Sequence, residues 1–179
     1  YGDPKFGAVS TAAASEVTPQ APAAPAGEIE VTVPDYEVSS QNGTDYVSFP
    51  AGHTLLVEGE PEIPFHVARF DYPAETRVQA VTLVDRAGLS TTTGLNLPIT
   101  TMAADCALVT RAEASTTDDW LPEETYTWRV IDNPDGTTTL EITIFAFEYQ
   151  PLTTAVRFYN SYTFDIATAP SPITQSWTH

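Results

Sequence analysis

Three histidines and one cysteine are the side chains here that could carry a proton near neutral pH, bind a transition metal or attack a carbonyl. His53, His66 and His179 are too widely spaced to form a local metal-ligand pair. His66 falls between Phe65 and Val67 in an apolar run, the setting of a structural histidine. Cys106, beside Ala107 and Leu108, reads as a small buried hydrophobe, and no cysteine-nucleophile signature surrounds it. As the only cysteine it excludes an intrachain disulfide. Glu58, Glu60 and Glu62 place three carboxylates on one side of an extended segment, while Asp118-Asp119 and Glu123-Glu124 are acidic pairs. No loop around them matches a calcium template, so they read as a solvated face or a charged edge that discourages random pairing. There is no phosphate loop, dinucleotide fingerprint or nucleophile elbow. The expectation is a non-enzyme with no catalytic residue, no metal and no cofactor.

Charge narrows the partners. The 179 residues carry a net charge of −17, which opposes binding to nucleic acid or to an anionic membrane surface. No apolar run reaches the length of a membrane span, so membrane insertion is not expected. Lys5 is the only lysine; the other cations are Arg69, Arg77, Arg86, Arg111, Arg129 and Arg157. Asn42-Gly43-Thr44 is a sequon, which makes Asn42 a candidate glycosylation site and glycans candidate partners. The same residues also make an ordinary Asn-Gly turn. Acidity, abundant threonine and a start at Tyr1 rather than Met suggest a processed, exported protein, extracellular or on the cell surface.

The elements that would position any site are strands. Ile29, Val31 and Val33 alternate with Glu28, Glu30 and Thr32, the pattern of a half-buried strand ended by Pro34. Residues 63–70 continue the theme, and residues 77–85 are apolar on both faces, which predicts a central strand. Tyr126, Trp128 and Val130 share one face of another strand. Asn133-Pro134-Asp135-Gly136 predicts a type I turn closed by a bulge, with Leu140, Ile142 and Ile144 inward on the return strand. Val156, Phe158, Tyr162, Phe164 and Ile166 close the series. A short helix is conceivable only at 103–114. The fold class is all-β: an antiparallel β-sandwich, jelly-roll-like, over residues 28–166, with a tail at 167–179.

Ahead of it lies an extended N-terminal arm, residues 1–27. Its residues 6–17 form a thin strand pattern of small side chains in which Phe6, Val9, Thr11, Ala13, Ser15 and Val17 are the assembly candidates. Residues 18–27, with Pro19, Pro22 and Pro25, read as a polyproline linker. An arm this poor in apolar side chains orders only against something that holds it, either the chain's own core or, at least as readily, a neighbouring copy.

Phe49-Pro50-Ala51-Gly52, Gly59-Glu60-Pro61-Glu62-Ile63-Pro64, the stretch Phe70-Asp71-Tyr72-Pro73-Ala74-Glu75-Thr76-Arg77-Val78 and Val81-Thr82-Leu83-Val84 together resemble the start of the propeptide domain of gingipain-type cysteine peptidases. Asn96-Leu97-Pro98, Trp120-Leu121-Pro122-Glu123 and the hairpin at Asn133-Pro134 follow in a compatible order. Ala74-Glu75 stands where that family usually has a Pro-x-Gly turn. The resemblance covers residues 28–166 and implies a β-sandwich. It carries no catalytic residue across, because the family's Cys-His machinery lies in another domain.

Three functions are then in competition. The leading expectation is a structural subunit of an extracellular, pilus-like filament, a glycosylated homopolymer joined head-to-tail by donor-strand insertion of the arm. The alternative is a propeptide-like inhibitory or chaperone domain of a secreted cysteine peptidase. The third is a carbohydrate- or cell-surface-binding sandwich using exposed aromatics such as Trp120 or Trp177.

Overall fold

Alternating apolar side chains produce alternating burial along the strands that build the core. In the computed structural model, which describes residues 27–74, 76–101 and 117–170, β1 (Gly27–Thr32) buries Val31, half-buries Ile29 and turns Glu28, Glu30 and Thr32 to water. β12 (Ser161–Pro170) likewise buries Tyr162, Phe164 and Ile166, each at most 1% exposed. β12 pairs antiparallel with β1 on one side and β6 (Thr76–Ala87) on the other.

The facing sheet runs β4 (His53–Leu55), β5 (Ile63–Tyr72), β9 (Thr138–Ile144), β8 (Tyr126–Asp132). The inward Leu140, Ile142 and Ile144 of β9 are fully buried. The layers meet where Tyr126 packs edge-on against Phe164, with ring centroids 5.2 Å apart. A second three-stranded sheet joins β7 (Ser90–Thr93), β11 (Ala155–Phe158) and β10 (Phe147–Gln150), and β2 (Glu37–Gln41) pairs with β3 (Thr44–Ser48). Tyr36 sets its ring edge-on to Phe147 and Phe158, which ties these elements to the core. Every named strand pair is antiparallel and the described residues contain no helix: the all-β sandwich is as expected.

Two expectations change. Residues 77–85 are not central, because β6 is the last strand of its sheet. Their apolar residues on both faces have another cause. Gln79 and Val84 are extra residues in the register with β12, so each flips the alternation: Val78 and Val81 both point inward, while Val84 is left 51% exposed. The run of Glu58, Glu60 and Glu62 is not extended either. Gly59 takes a φ of +80° and the Glu60 amide donates back to the Val57 carbonyl (3.0 Å), which folds the segment into a turn.

The assembly candidates Phe6, Val9, Thr11, Ala13, Ser15 and Val17 lie outside the described residues, as do Cys106, the helix expected at 103–114, Trp177 and His179.

Candidate interaction surface

The Asn133–Gly136 turn sets the register of the β8–β9 hairpin. Its Gly136 amide donates to the Asn133 carbonyl at 3.0 Å, and Asp135 accepts from the Thr137 amide and hydroxyl at 3.0 and 2.6 Å. That register puts Arg129 opposite Glu141, and β5 places Arg69 opposite Glu141 from the other side. Glu141 occupies an outward position yet is only 6% exposed, because both arginines fold over it. Their Nε atoms donate to its two carboxylate oxygens at 2.8 and 2.7 Å. Burial pushes the Glu141 carboxyl up, but the hydrogen bonds and charges of Arg69 and Arg129 outweigh it and hold the carboxyl below the ordinary carboxylate range. One carboxylate against two guanidiniums leaves a local surplus of positive charge on a chain of net charge −17.

A carboxyl whose pKa is depressed in the fold stabilises it above the ordinary carboxylate pKa of about 4.3, and that contribution disappears as pH falls through the lower folded value. Glu141→Gln is therefore expected to cost about 1 kcal/mol at pH 7, a small figure because both guanidiniums are open to water. The deficit relative to the parent should shrink toward zero as the pH drops below about 4. Denaturant melts of the two proteins at several pH values check this.

The inner face of β8 is unusual. Trp128 and Val130 sit in register with the fully buried Ile142 and Leu140, so they occupy core positions, yet each is 38% exposed. What they lack is cover. Between β8 and β6 lies a cleft of about 1050 Å³, lined by Arg77, Val78, Gln79, Trp128, Val130 and Asp132 among others. At one end the Tyr126 hydroxyl clasps the two strands, donating to the Val81 carbonyl (3.0 Å) and accepting from the Leu83 amide (3.3 Å). Tyr126→Phe removes both bonds and should cost about 1 kcal/mol while speeding hydrogen exchange at the Leu83 amide. An unchanged Leu83 exchange rate would mean that the clasp is not needed to protect this edge.

The other polar groups are structural. Arg86 points inward because of the bulge at Val84, pairs with the buried Glu148, and stacks over Tyr159 at 4.1 Å. The Tyr162 hydroxyl beside them is buried without a hydrogen-bond partner, and burial pushes its pKa up, so it stays protonated. His66 Nδ1 is also buried and unpartnered, and burial lowers the pKa of the ring, which favours the neutral form of a structural histidine. His53 stacks on Phe65 with ring centroids 5.4 Å apart. Among the described residues no group of three His, Cys, Asp or Glu gathers to hold a metal. Asn42 and Gly43, with φ of +52° and +79°, form the β2–β3 turn, so this Asn-Gly pair does act as a hairpin turn. Trp120 is half-buried, with the Arg157 guanidinium stacked over its ring at 3.8 Å.

The Arg69–Glu141–Arg129 group and the β8 cleft were not singled out in the sequence. The Asn133–Gly136 turn carries the signal for half of the first, since it forces Arg129 opposite Glu141. Arg69 arrives from a distant strand and has no local signal.

Solved structures now place the fold. The chain superposes on a chain of the complex of the Porphyromonas gingivalis RgpB pro- and mature domains with a TM-score of 0.62 at 11% identity, covering 84% of each chain. It superposes on a gingipain K chain from the same organism, from a structure concerned with zymogenic latency, with a TM-score of 0.64 at 13% identity, covering 81% of this chain and 88% of that one. No family model matches the chain, and no curated protein matches it. At these identities the likeness is one of fold, and it is the gingipain pro-domain fold that the sequence motifs resembled. The reading of the chain as a non-enzyme agrees with it, because the likeness is to pro-domains rather than catalytic domains.

The filament expectation is corrected by the same finding. The folds that match are pro-domains associated with a mature peptidase domain, not pilus subunits, so the pilus-like, donor-strand homopolymer has no support. The expectation of further copies of this chain as the partner is corrected with it, because the matching folds are found with a mature peptidase domain and not as homopolymers. An arm of this composition is compatible with many holders, and composition alone cannot choose among them.

Proposed function

We propose that this chain is a pro-domain-like binding module that associates with a secreted cysteine-peptidase domain and holds it latent or assists its folding. Residues 28–166 form the binding domain in this reading, with residues 1–27 and 167–179 as flanking segments. The observation that carries it is the match over more than four-fifths of both chains to the RgpB complex of pro- and mature domains, with gingipain K latency as the second instance. The composition fits an extracellular setting: net charge −17, one lysine and one cysteine. Its surface offers the means to bind: an open strand edge, uncovered apolar side chains and a paired arginine site.

Mixing the purified chain with the mature domains of RgpB and gingipain K, and with a gingipain-type catalytic domain from the organism that makes this chain, tests the reading. A one-to-one complex in size-exclusion chromatography with at least one of them is expected. Separate elution from all three would overturn it.

A further inference from the structure

We propose that β8 is the strand that grips the partner: an extended segment of the partner domain, apolar at alternate positions with an acidic residue between, adds to the open edge of β8 and covers Trp128 and Val130. This inference rests on the pro-domain reading above and names the surface that reading requires.

Four observations carry it. Among the described residues β8 is hydrogen-bonded to β9 alone, so its outer backbone groups face the cleft rather than another strand. Unpaired strand edges with apolar side chains are pairing sites unless they are blunted. β6, across the cleft, is blunted by its two register breaks at Gln79 and Val84, whereas β8 keeps an unbroken register with β9 over all its residues. The asymmetry selects β8. Its side chains supply the second observation, since Trp128 and Val130 occupy core register positions and are still more than a third exposed. An added strand would present every second side chain to them.

The third is volume. The cleft of about 1050 Å³ is ample for the alternate side chains of a short extended segment. The fourth is charge. Arg129 lies between Trp128 and Val130 on the opposite face, shares Glu141 with Arg69, and keeps further N–H donors for a second carboxylate. A partner residue beside Arg129 on that face is therefore acidic. Main-chain bonds would give such a complex its grip, the Trp128 contact its anchor and Arg129 its selectivity.

The test uses random dodecapeptides displayed on phage and selected against the full chain. Enriched peptides should alternate apolar residues around an Asp or Glu. The synthesised peptide should slow hydrogen exchange in Tyr126–Asp132. Trp128→Ser should weaken its binding about thirtyfold, the loss typical of an aromatic anchor. Arg129→Gln should weaken acidic peptides severalfold and their Gln variants little. Val130→Thr, which keeps the side-chain shape, decides the matter if Trp128→Ser fails to fold, and should also weaken binding.

Failure to enrich any peptide would overturn the proposal, as would peptides that bind the folded variants as tightly as the parent. So would a β8 edge already protected in the free chain, or a chain that dimerises through β8, since either names a different occupant. Peptide capture at β8 by a chain that forms no complex with any peptidase domain would sink the pro-domain reading alone. A peptidase complex insensitive to Trp128→Ser and Val130→Thr would sink this inference alone.

Discussion

Phe164→Ala is expected to destabilise the fold by about 3–5 kcal/mol, the range for emptying a fully buried aromatic site. Phe164 has no solvent exposure, meets Tyr126 edge-on at 5.2 Å and stacks near Tyr162 at 6.2 Å. It therefore sits where the β12 sheet meets β8, and its removal takes away both its own burial and the support of the Tyr126 clasp. Domains of this size are stable by about 5–15 kcal/mol, so the variant should lose a large share of its margin. Chemical denaturation gives the number. A loss below about 1 kcal/mol would mean that the two layers are not packed together through this ring.

Gly52→Ala is expected to cost about 2–3 kcal/mol. A Cβ on Gly52 would stand 2.6 Å from the Phe49 Cβ and 3.2 Å from both the Phe49 and Phe65 carbonyl oxygens. Rotamer changes cannot relieve contacts with a Cβ or a backbone oxygen, so the turn itself must shift. The Gly52 amide closes that turn by donating to the Phe49 carbonyl at 2.9 Å, and Phe49 is a core residue 5% exposed. The strain would thus pass into the packing of Phe49 against Phe158. A melting temperature equal to the parent's would show that the turn yields freely. The Phe49-Pro50-Ala51-Gly52 motif is in this light a packing requirement: the glycine lets the chain double back against its own core.

Much of the sandwich was legible because burial here follows a period of two. Ile29 and Val31, the β9 series Leu140, Ile142 and Ile144, and the β12 series Tyr162, Phe164 and Ile166 all point where alternation sends them. The hairpin at Asn133–Gly136 was legible from turn chemistry alone. β6 was misread because a bulge leaves no mark in composition: two inserted residues made an edge strand look like a central one. β2 and β7 escaped notice because they are exposed throughout and carry mostly Ser, Thr, Glu and Gln where a strand signal needs large apolar residues, and β3 because a five-residue strand with one buried side chain, Val47, is too short to show alternation. The surface proposed for binding was hidden for a different reason. Trp128 and Val130 look like core residues in sequence, and only the absent cover above them in space marks them as available.

The partner was misjudged because the arm's composition speaks of being held, not of what holds it. Short motifs in the first half of the domain pointed to the pro-domain fold, and the solved structures that share it are pro-domains seen with a mature peptidase domain rather than homopolymers.

Titrating a gingipain-type mature peptidase domain with the purified chain, and following cleavage of a small fluorogenic substrate, tests the central claim most directly. A pro-domain-like module should suppress turnover at near-stoichiometric amounts of at least one of the catalytic domains named above, or raise the yield of active enzyme when present during its refolding. Unchanged turnover and unchanged refolding yield with all of them, at concentrations well above the enzyme's, would contradict it.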